Sequence, residues 1–532
     1  MHALALMSAL VAMVGAVQNE DARLPHQRPP RVSFDPGPEY DADARKYQGI
    51  PGIERAANGR LWAVWYAGKV HEDRYNYVVG VTSADDGQTW SDLRFVIDPD
   101  GDGPVRASDP CLWIDPTGVL WLFWFQDAGG ATLQQPALFA MTTDRPGDEN
   151  PQWSEPRFIC DGIMMCKPIV ASNGDWLLPT AIWHRDESSR VVASADQGRT
   201  WALRGAAGIP NPDDRNCDES MMVERKDGSL WMLVRTMYGI GETTSHDGGA
   251  TWAPVTPSDI PHPTSRFYLR RLASGALLLV KHGPLDERIG RTHLTAYLSQ
   301  DDGRTWLGGL LLDERATVSY PDGTQGDDGT IYVIYDWNRA DEKHILLATF
   351  TEADVLAGEA VSDKARFRVL VNEATGVNPK PWLRDGRFLN LRDNSDGAPP
   401  MDGPAAELAF DHGEAATVAP GERIFTDRSY AFNVAPDMLA SKRFLRSSID
   451  ATEATCTAEG VIYALTPAPN RNPDSVAPAL LEAGFEKVAL PEHVLFLSPD
   501  GAAHSGNVCT VYQKRVRPGE RISFGKWGVL IY

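Results

Sequence analysis

Cysteine is scarce, at six in 532 residues. None sits in a Cys-x-x-Cys pair and the Cys/His spacing carries no zinc signature, which argues against a disulfide scaffold and a structural zinc site. Cys160 and Cys166 are near enough in sequence to pair, but buried thiols are the favoured reading. Positive charge is also short: Lys plus Arg is 51 against 72 Asp plus Glu, a net charge of −21. A nucleic-acid partner needs a basic footprint, and anionic membrane surfaces repel such a chain, so neither is expected. Local basic pockets for small acidic ligands remain open. There is no Walker-type phosphate loop, no dinucleotide fingerprint between strand and helix, and no Gly-x-Ser-x-Gly elbow. Acidic runs such as Asp98-Pro-Asp-Gly-Asp102 lack the EF-hand pattern and read as turns. No metal or cofactor is expected. Helical periodicity is nearly missing before Glu352-Ala-Asp-Val-Leu356.

What the chain does have is apolar residues at 42%, enough for a core, and 16 Trp, which fill β cores or stack on sugars. Ala3 to Val17 is an apolar run of signal-peptide length ending in small residues, Val14-Gly15-Ala16. Residues 1–17 are therefore expected to be a signal peptide, and the protein secreted or periplasmic. No later run is long and apolar enough for a membrane helix.

The strongest signal is periodic. Ser83-Ala-Asp85-Asp-Gly87-Gln-Thr89-Trp90 recurs from Ser194 to Trp201, from Ser245 to Trp252 and from Ser299 to Trp306, with a worn copy from Thr142 to Trp153. A second element, a Gly followed by an apolar run, marches with it at Gly59, Gly118, Gly174, Gly228, Gly275 and Gly329. A period of roughly 50 residues points to a propeller or solenoid. Each unit reads as a four-stranded blade, with the Asp-Gly segment as a tight hairpin and the Trp buried beneath it. The expectation is all-β: a six-bladed β-propeller over 45–360, then a smaller β-rich accessory domain over 365–532.

The Ser-x-Asp-x-Gly-x-Thr-Trp element resembles the Asp box of the sialidase superfamily, and its number, spacing and phase are similar to that family's six-bladed propeller. The resemblance covers 45–360. It implies a sialidase-like glycoside hydrolase with three arginines clamping the sugar carboxylate, a Tyr nucleophile, a Glu beside it and a loop Asp as acid/base. A guanidinium suits a carboxylate because it offers paired donors with fixed charge.

Carried over, Asp218-Glu219-Ser-Met-Met-Val223 and Gly228-Ser-Leu-Trp-Met-Leu-Val-Arg235 resemble the stretch bearing the Glu and the second arginine. Val318-Ser-Tyr320-Pro-Asp322-Gly323 sits where the family places its Tyr. Arg291 is near the third arginine's place, with Arg288 and Arg266 as rivals. The first arginine belongs in a Phe/Tyr-Arg-Ile-Pro element, but here the chain reads Tyr47-Gln48-Gly49-Ile50-Pro51. The acid/base loop corresponds to Lys69-Val-His71-Glu72-Asp73-Arg74, with Asp73 first and Glu72 second. Other polar residues recur at the same repeat phase: Arg106 and Asp109 before the second blade's strand, Lys167 in the third, Lys281-His282 in the fifth and Asp336-Trp-Asn-Arg339 in the sixth. In a propeller, one phase maps to one face.

These residues imply an exo-acting enzyme on an acidic sugar, sialic-acid-like or uronic, of a glycan or polysaccharide. Tyr320, Glu219 and Asp73 are its expected catalytic set. Arg235, Arg291, Arg266, Lys167, Arg106, Asp109, Gln48, Asp218 and Arg339 are expected to bind substrate. Two other classes stay open: a non-catalytic glycan-binding propeller, and a polysaccharide lyase acting on uronates.

Overall fold

The computed structural model describes residues 23–68, 72, 75–101, 105–128, 136–164, 166–183, 188–377, 397–419, 421–427, 430–434, 438–467, 475–490, 494–497 and 507–532. The segment 1–17 expected to be a signal peptide lies outside these. Among the described residues no helix is long and apolar enough to cross a membrane.

Six antiparallel sheets follow one another along the chain. Their inner strands are Tyr47–Arg55, Arg106–Ile114, Ile169–Val170, Arg215–Glu224, Tyr268–Arg271 and Val318–Gln325. Each continues outward through three further strands in sequence order, and Val32–Ser33 adds a fifth strand to the first sheet. The second strands are the Gly-led apolar runs, such as Leu61–Gly68 and Leu120–Asp127, and both are buried from end to end. That burial explains their continuous rather than alternating hydrophobicity, since both faces of a blade pack on neighbouring blades.

The apolar clusters fall between the sheets. Trp62 and Val64 pack with Leu122 and Trp124 between the first and second. Trp113 and Trp121 pack with Trp176 between the second and third, and Leu177 and Val191 with Met232 and Val234 between the third and fourth. One continuous cluster joins the fourth, fifth and sixth sheets. Ile53 and Trp65 pack with Tyr332 and Ile345, joining the sixth sheet back to the first and closing the ring. The fourth strand of the sixth sheet is Arg366–Glu373, so that sheet runs past residue 360.

The repeated box lies between the third and fourth strands. In the first, Gly87 N donates to Ser83 Oγ at 2.9 Å, and Thr89 donates from N and Oγ1 to Asp85 at 2.9 and 2.6 Å. Asp86 and Gly87 are both left-handed (φ 56° and 78°), which makes the hairpin tight. A Cβ on Gly198 would stand 2.7 Å from Trp121, so the box packs directly on the preceding blade. Trp90, Trp201, Trp252 and Trp306 are half-buried rather than buried. Trp90 and Trp252 donate Nε1 to the box glycine's carbonyl, at 3.2 and 3.0 Å, which holds the indole against the turn at the surface. In the worn copy, Trp153 is buried edge-on against Trp62.

After Glu373 the strands pair among themselves, in a three-stranded sheet and an eight-stranded one, with cores of their own. The short helix Glu352–Ala357 lies where helical periodicity begins, capped by a Thr351–Asp354 box and by left-handed Gly358. All six cysteines are free thiols.

Candidate active site

Four inner strands carry the same irregularity. The register slips between Gly49 and Gly52, Ser108 and Cys111, Arg215 and Ser220, and Ser319 and Asp322. At each slip one non-glycine residue takes a left-handed φ: Ile50 (57°), Asp109 (48°), Asp218 (53°) and Tyr320 (53°). Such bulges re-aim side chains, and a left-handed non-glycine residue marks a site the surrounding structure holds in place.

The bulges bring the fourth and sixth sheets into contact. Arg235 Nη1 donates to Glu219 Oε1 at 2.7 Å and to Tyr320 Oη at 2.9 Å. Phenol and carboxylate thus meet on one guanidinium nitrogen rather than in a direct hydrogen bond. Two more guanidiniums stand over the Tyr320 ring, Arg339 at 4.3 Å and Arg291 at 5.5 Å from its centre. Burial and Glu219 push the Tyr320 phenol up to about 12, while the three arginines pull the other way.

The three cations are not equally matched. Arg235 is paired with Glu219, and Arg339 with Asp336 at 3.0 Å. Among the described residues Arg291 has no carboxylate within ion-pair distance. Burial and the other two arginines hold its pKa down.

Two more carboxyl groups adjoin these residues. Glu72 accepts from Tyr47 Oη at 3.0 Å and lies 3.8 Å from Arg339. Asp109 lies within electrostatic reach of Glu72, Glu219, Arg106 and Arg266, and burial with the Glu72 charge pushes it up to about 8. Arg106 donates Nε to Asp127 at 2.7 Å, while neither of its Nη atoms has a hydrogen-bond partner among the described residues. The same is true of Glu219 Oε2, Arg235 Nε, Arg266 Nε and Asp109 Oδ1. A small cavity lined by Glu219, Ser220, Met221, Arg235, Arg266 and Phe267 opens at this point.

Two expected binding residues, Lys167 and Gln48, are engaged elsewhere. Lys167 is no substrate cation: its ammonium donates to Ile53 O and Leu112 O at 2.5 and 2.7 Å and pairs with Glu54 and Asp322, each at 3.2 Å. Burial opposes its charge, but the two carboxylates win and its pKa is raised. It is a strut tying the third sheet to the first, second and sixth. Gln48 is equally spent, accepting from Arg45 Nε and Trp65 Nε1 and donating to Lys343 O, so it does not replace a missing cation. Asp218 accepts from the Asn216 amide at 3.0 Å, and burial pushes it up to about 6. Arg266 spans both settings, 3.7 Å from Asp322 in the strut and lining the cavity. Asp73 lies outside the described residues. The rival Arg288 donates to the carbonyls of Met237 and Tyr238 at the surface.

Sequence reasoning left out Tyr47, Ser319 and His262. Ser319 Oγ donates to Asp336 at 2.7 Å and accepts from Arg339 at 2.8 Å. His262 stacks on His282 with ring centres 5.3 Å apart, and burial lowers the pKa of both. Tyr47 and Ser319 adjoin residues that had been singled out, and that adjacency was the available signal. No titratable neighbour or repeat phase pointed to His262.

Comparison with known proteins gives a match between residues 59–333 and the BNR repeat-like domain family. Similar solved structures include the Hadza microbial sialidase Hz136, at 22% identity and TM-score 0.48, covering 59% of this chain and 67% of that one. The NanB sialidase of Streptococcus pneumoniae aligns at 15% identity and TM-score 0.47, covering 59% and 70%. A Trypanosoma rangeli sialidase mutant displaying trans-sialidase activity aligns at 14% identity and TM-score 0.44, covering 91% of each chain. No curated protein matches.

Proposed function

Since the chain belongs to the BNR repeat-like family and is a sialidase-like member of it, we propose that it is an exported glycoside hydrolase that removes an acidic sugar from the end of a glycan or polysaccharide. The sugar is sialic-acid-like or uronic. The observation that carries this reading is the Glu219–Arg235–Tyr320 line, with Arg291 over the Tyr320 ring and no carboxylate in ion-pair reach of Arg291 among the described residues. A buried polar atom left unpaired costs about 1–3 kcal/mol, so the unpartnered donors and acceptors of the cup favour a ligand rich in hydroxyl and carboxyl groups.

In this reading Arg235, Arg291 and Arg339 hold the substrate carboxylate and fix the anomeric carbon above Tyr320. The phenol oxygen attacks that carbon as Glu219 takes the phenol proton, and the glycosidic C–O bond breaks. A neutral phenol avoids the repulsion that a carboxylate nucleophile would meet beside the sugar's own anion. The leaving oxygen takes a proton from a carboxyl group, assigned to Asp73. Water then attacks the anomeric carbon and displaces the phenol; one water proton goes to the Asp73 carboxylate, Glu219 returns its proton to the Tyr320 oxygen, and configuration is retained. Arg106 and Asp109 contact hydroxyl or acyl groups on the far side of the ring. The segment after Glu373 is an accessory β-rich domain, and residues 1–17 direct secretion or transport to the periplasm.

The test is incubation with fluorogenic sialosides and a panel of uronate glycans, read by the mass of released sugar. Release by the wild type and its loss in Tyr320→Phe and Glu219→Gln bear out the hydrolase. A near-ultraviolet-absorbing unsaturated product would instead identify a lyase. Binding without release would leave a glycan-binding propeller.

A further inference from the structure

Residues 69–76 join the second strand of the first sheet, Leu61–Gly68, to the third, Tyr77–Ser83. This loop is held at a middle residue as well as at its ends. Glu72 accepts from Tyr47 Oη through Oε2 at 3.0 Å, and the same oxygen lies 3.8 Å from Arg339 Nη1. Tyr47 opens the inner strand of the sheet and pairs with Gly68, so the bond ties the loop back to the strand end it springs from. At the returning end, Asn76 donates Nδ2 to Ala67 O at 3.3 Å and its carbonyl accepts from the Ala107 amide at 3.0 Å. That second tie reaches the strand bearing Arg106 and Asp109.

The anchor is built to donate. Tyr47 and Tyr66 are fully buried, with their hydroxyl oxygens 3.4 Å apart. A phenol carries one proton. Tyr47 gives its proton to Glu72, so the Tyr66 hydroxyl is the donor between the two rings. Burial and the Glu72 charge hold both phenols well above their ordinary value, so neither ionises in neutral solution. Glu72 is buried as well, and a buried carboxylate deprived of its donor is driven toward water. The carboxyl that protonates a leaving oxygen must lie within hydrogen-bond reach of it, about 2.6–3.2 Å. Asp73 follows Glu72 in the chain, and consecutive Cα atoms are about 3.8 Å apart. Fixing Glu72 therefore limits how far the Asp73 backbone can stray from the cup.

We infer that Tyr47 and Glu72 are positioning residues for the acid/base step, their hydrogen bond setting where Asp73 meets the leaving oxygen. This rests on the function proposed above and goes further. It gives the first sheet a part in proton transfer and divides two neighbouring carboxyl groups into anchor and donor.

The probes are the 4-nitrophenyl and methyl glycosides of N-acetylneuraminic acid, and those of D-glucuronic acid in both anomers, hydrolysed by the full chain. 4-Nitrophenoxide leaves with little help from an acid, whereas methoxide needs the proton. The reading is the ratio of kcat/KM between aryl and methyl glycoside, which a smaller folded fraction leaves unchanged. Tyr47→Phe should raise that ratio about tenfold or more, since a misplacement of about 1 Å costs on the order of 10²-fold. Glu72→Ala should raise it by a similar factor, and the double variant by no more than the larger single effect, because both remove one bond. Glu72→Gln keeps an oxygen that accepts from Tyr47 and should raise the ratio much less than Glu72→Ala, whereas Asp73→Asn should raise it furthest. If Glu72→Gln raised it as far as Glu72→Ala while Asp73→Asn did not raise it, Glu72 would be the proton donor and the inference would fall. It would fall equally if Tyr47→Phe slowed both glycosides by the same factor. A wild type that releases sugar from none of these glycosides would overturn the hydrolase reading itself, and this inference with it.

Discussion

The box hairpins and the cup are built on opposite rules. In four boxes the Ser hydroxyl donates to the Asp at 2.8–2.9 Å, and the same Gly and Thr contacts recur. In the cup each sheet gives a different set of groups: Tyr47 comes from the first, Arg106 and Asp109 from the second, Glu219 and Arg235 from the fourth, Tyr320 from the sixth. Yet the cup residues also share a repeated feature, the inner-strand bulge with one left-handed residue. The backbone repeats while the side chain it aims does not. Repetition of identity holds the ring, and variation at one repeated backbone position makes the chemistry.

The largest effect is expected at the least repeated residue. Tyr320→Phe should keep the fold and reduce sugar release about 10²–10⁴-fold, the range for losing a positioned proton-transfer or attacking group. Turnover with circular dichroism of the variant checks both halves. Next comes the strut beneath the cup. Lys167→Ala leaves Glu54 and Asp322 buried without their cation, and should cost about 3–5 kcal/mol in denaturant unfolding. An equal loss of activity without loss of stability would place Lys167 in the cup after all.

Asp109 sharpens the contrast through pH. Its pKa is ordinarily near 3.8 and rises to about 8 in the folded chain. The folded state therefore binds this proton more tightly than the unfolded one. The associated stability is fully present below the ordinary value and is lost as pH rises through about 8. Unfolding free energy should fall over that window by a fraction of the about 1.4 kcal/mol per pH unit that one proton allows. Asp109→Asn should flatten the slope, and an unchanged slope would mean the carboxyl is ionised.

The ring was legible because a box is a local object: its hydrogen bonds join residues two and four apart, so spacing alone displays them. Glu219, Arg235 and Tyr320 were singled out by their resemblance to sialidase stretches, and the structure brings the three together. Lys167 and Gln48 share a similar phase and were misassigned, because phase gives the end of a blade and not the direction of a side chain. That direction depends on the bulge, which needs a pairing partner to be seen. Arg339 was legible as a polar residue at the mouth. Its place over Gly49 was not, since the two are joined only when the last sheet closes on the first.

An effect confined to stability separates the two regions most cleanly. Gly198 is left-handed (φ 79°), and its built Cβ meets Trp121 of the preceding sheet at 2.7 Å. Gly198→Ala adds the cost of a left-handed alanine, about 1–2 kcal/mol, to some overpacking. Trp121 stacks at 5.6 Å on Phe123 and edge-on at 6.0 Å to Trp176, so it has little room to yield. The variant should unfold at lower denaturant concentration, while its kcat and KM for the glycan substrate match the wild type's. The box lies at the outer end of a blade, and the third sheet places no residue in the Glu219–Arg235–Tyr320 line. A variant that loses activity in step with stability would instead mean that the packing between blades also sets the bulges, and that ring and cup are one mechanical unit.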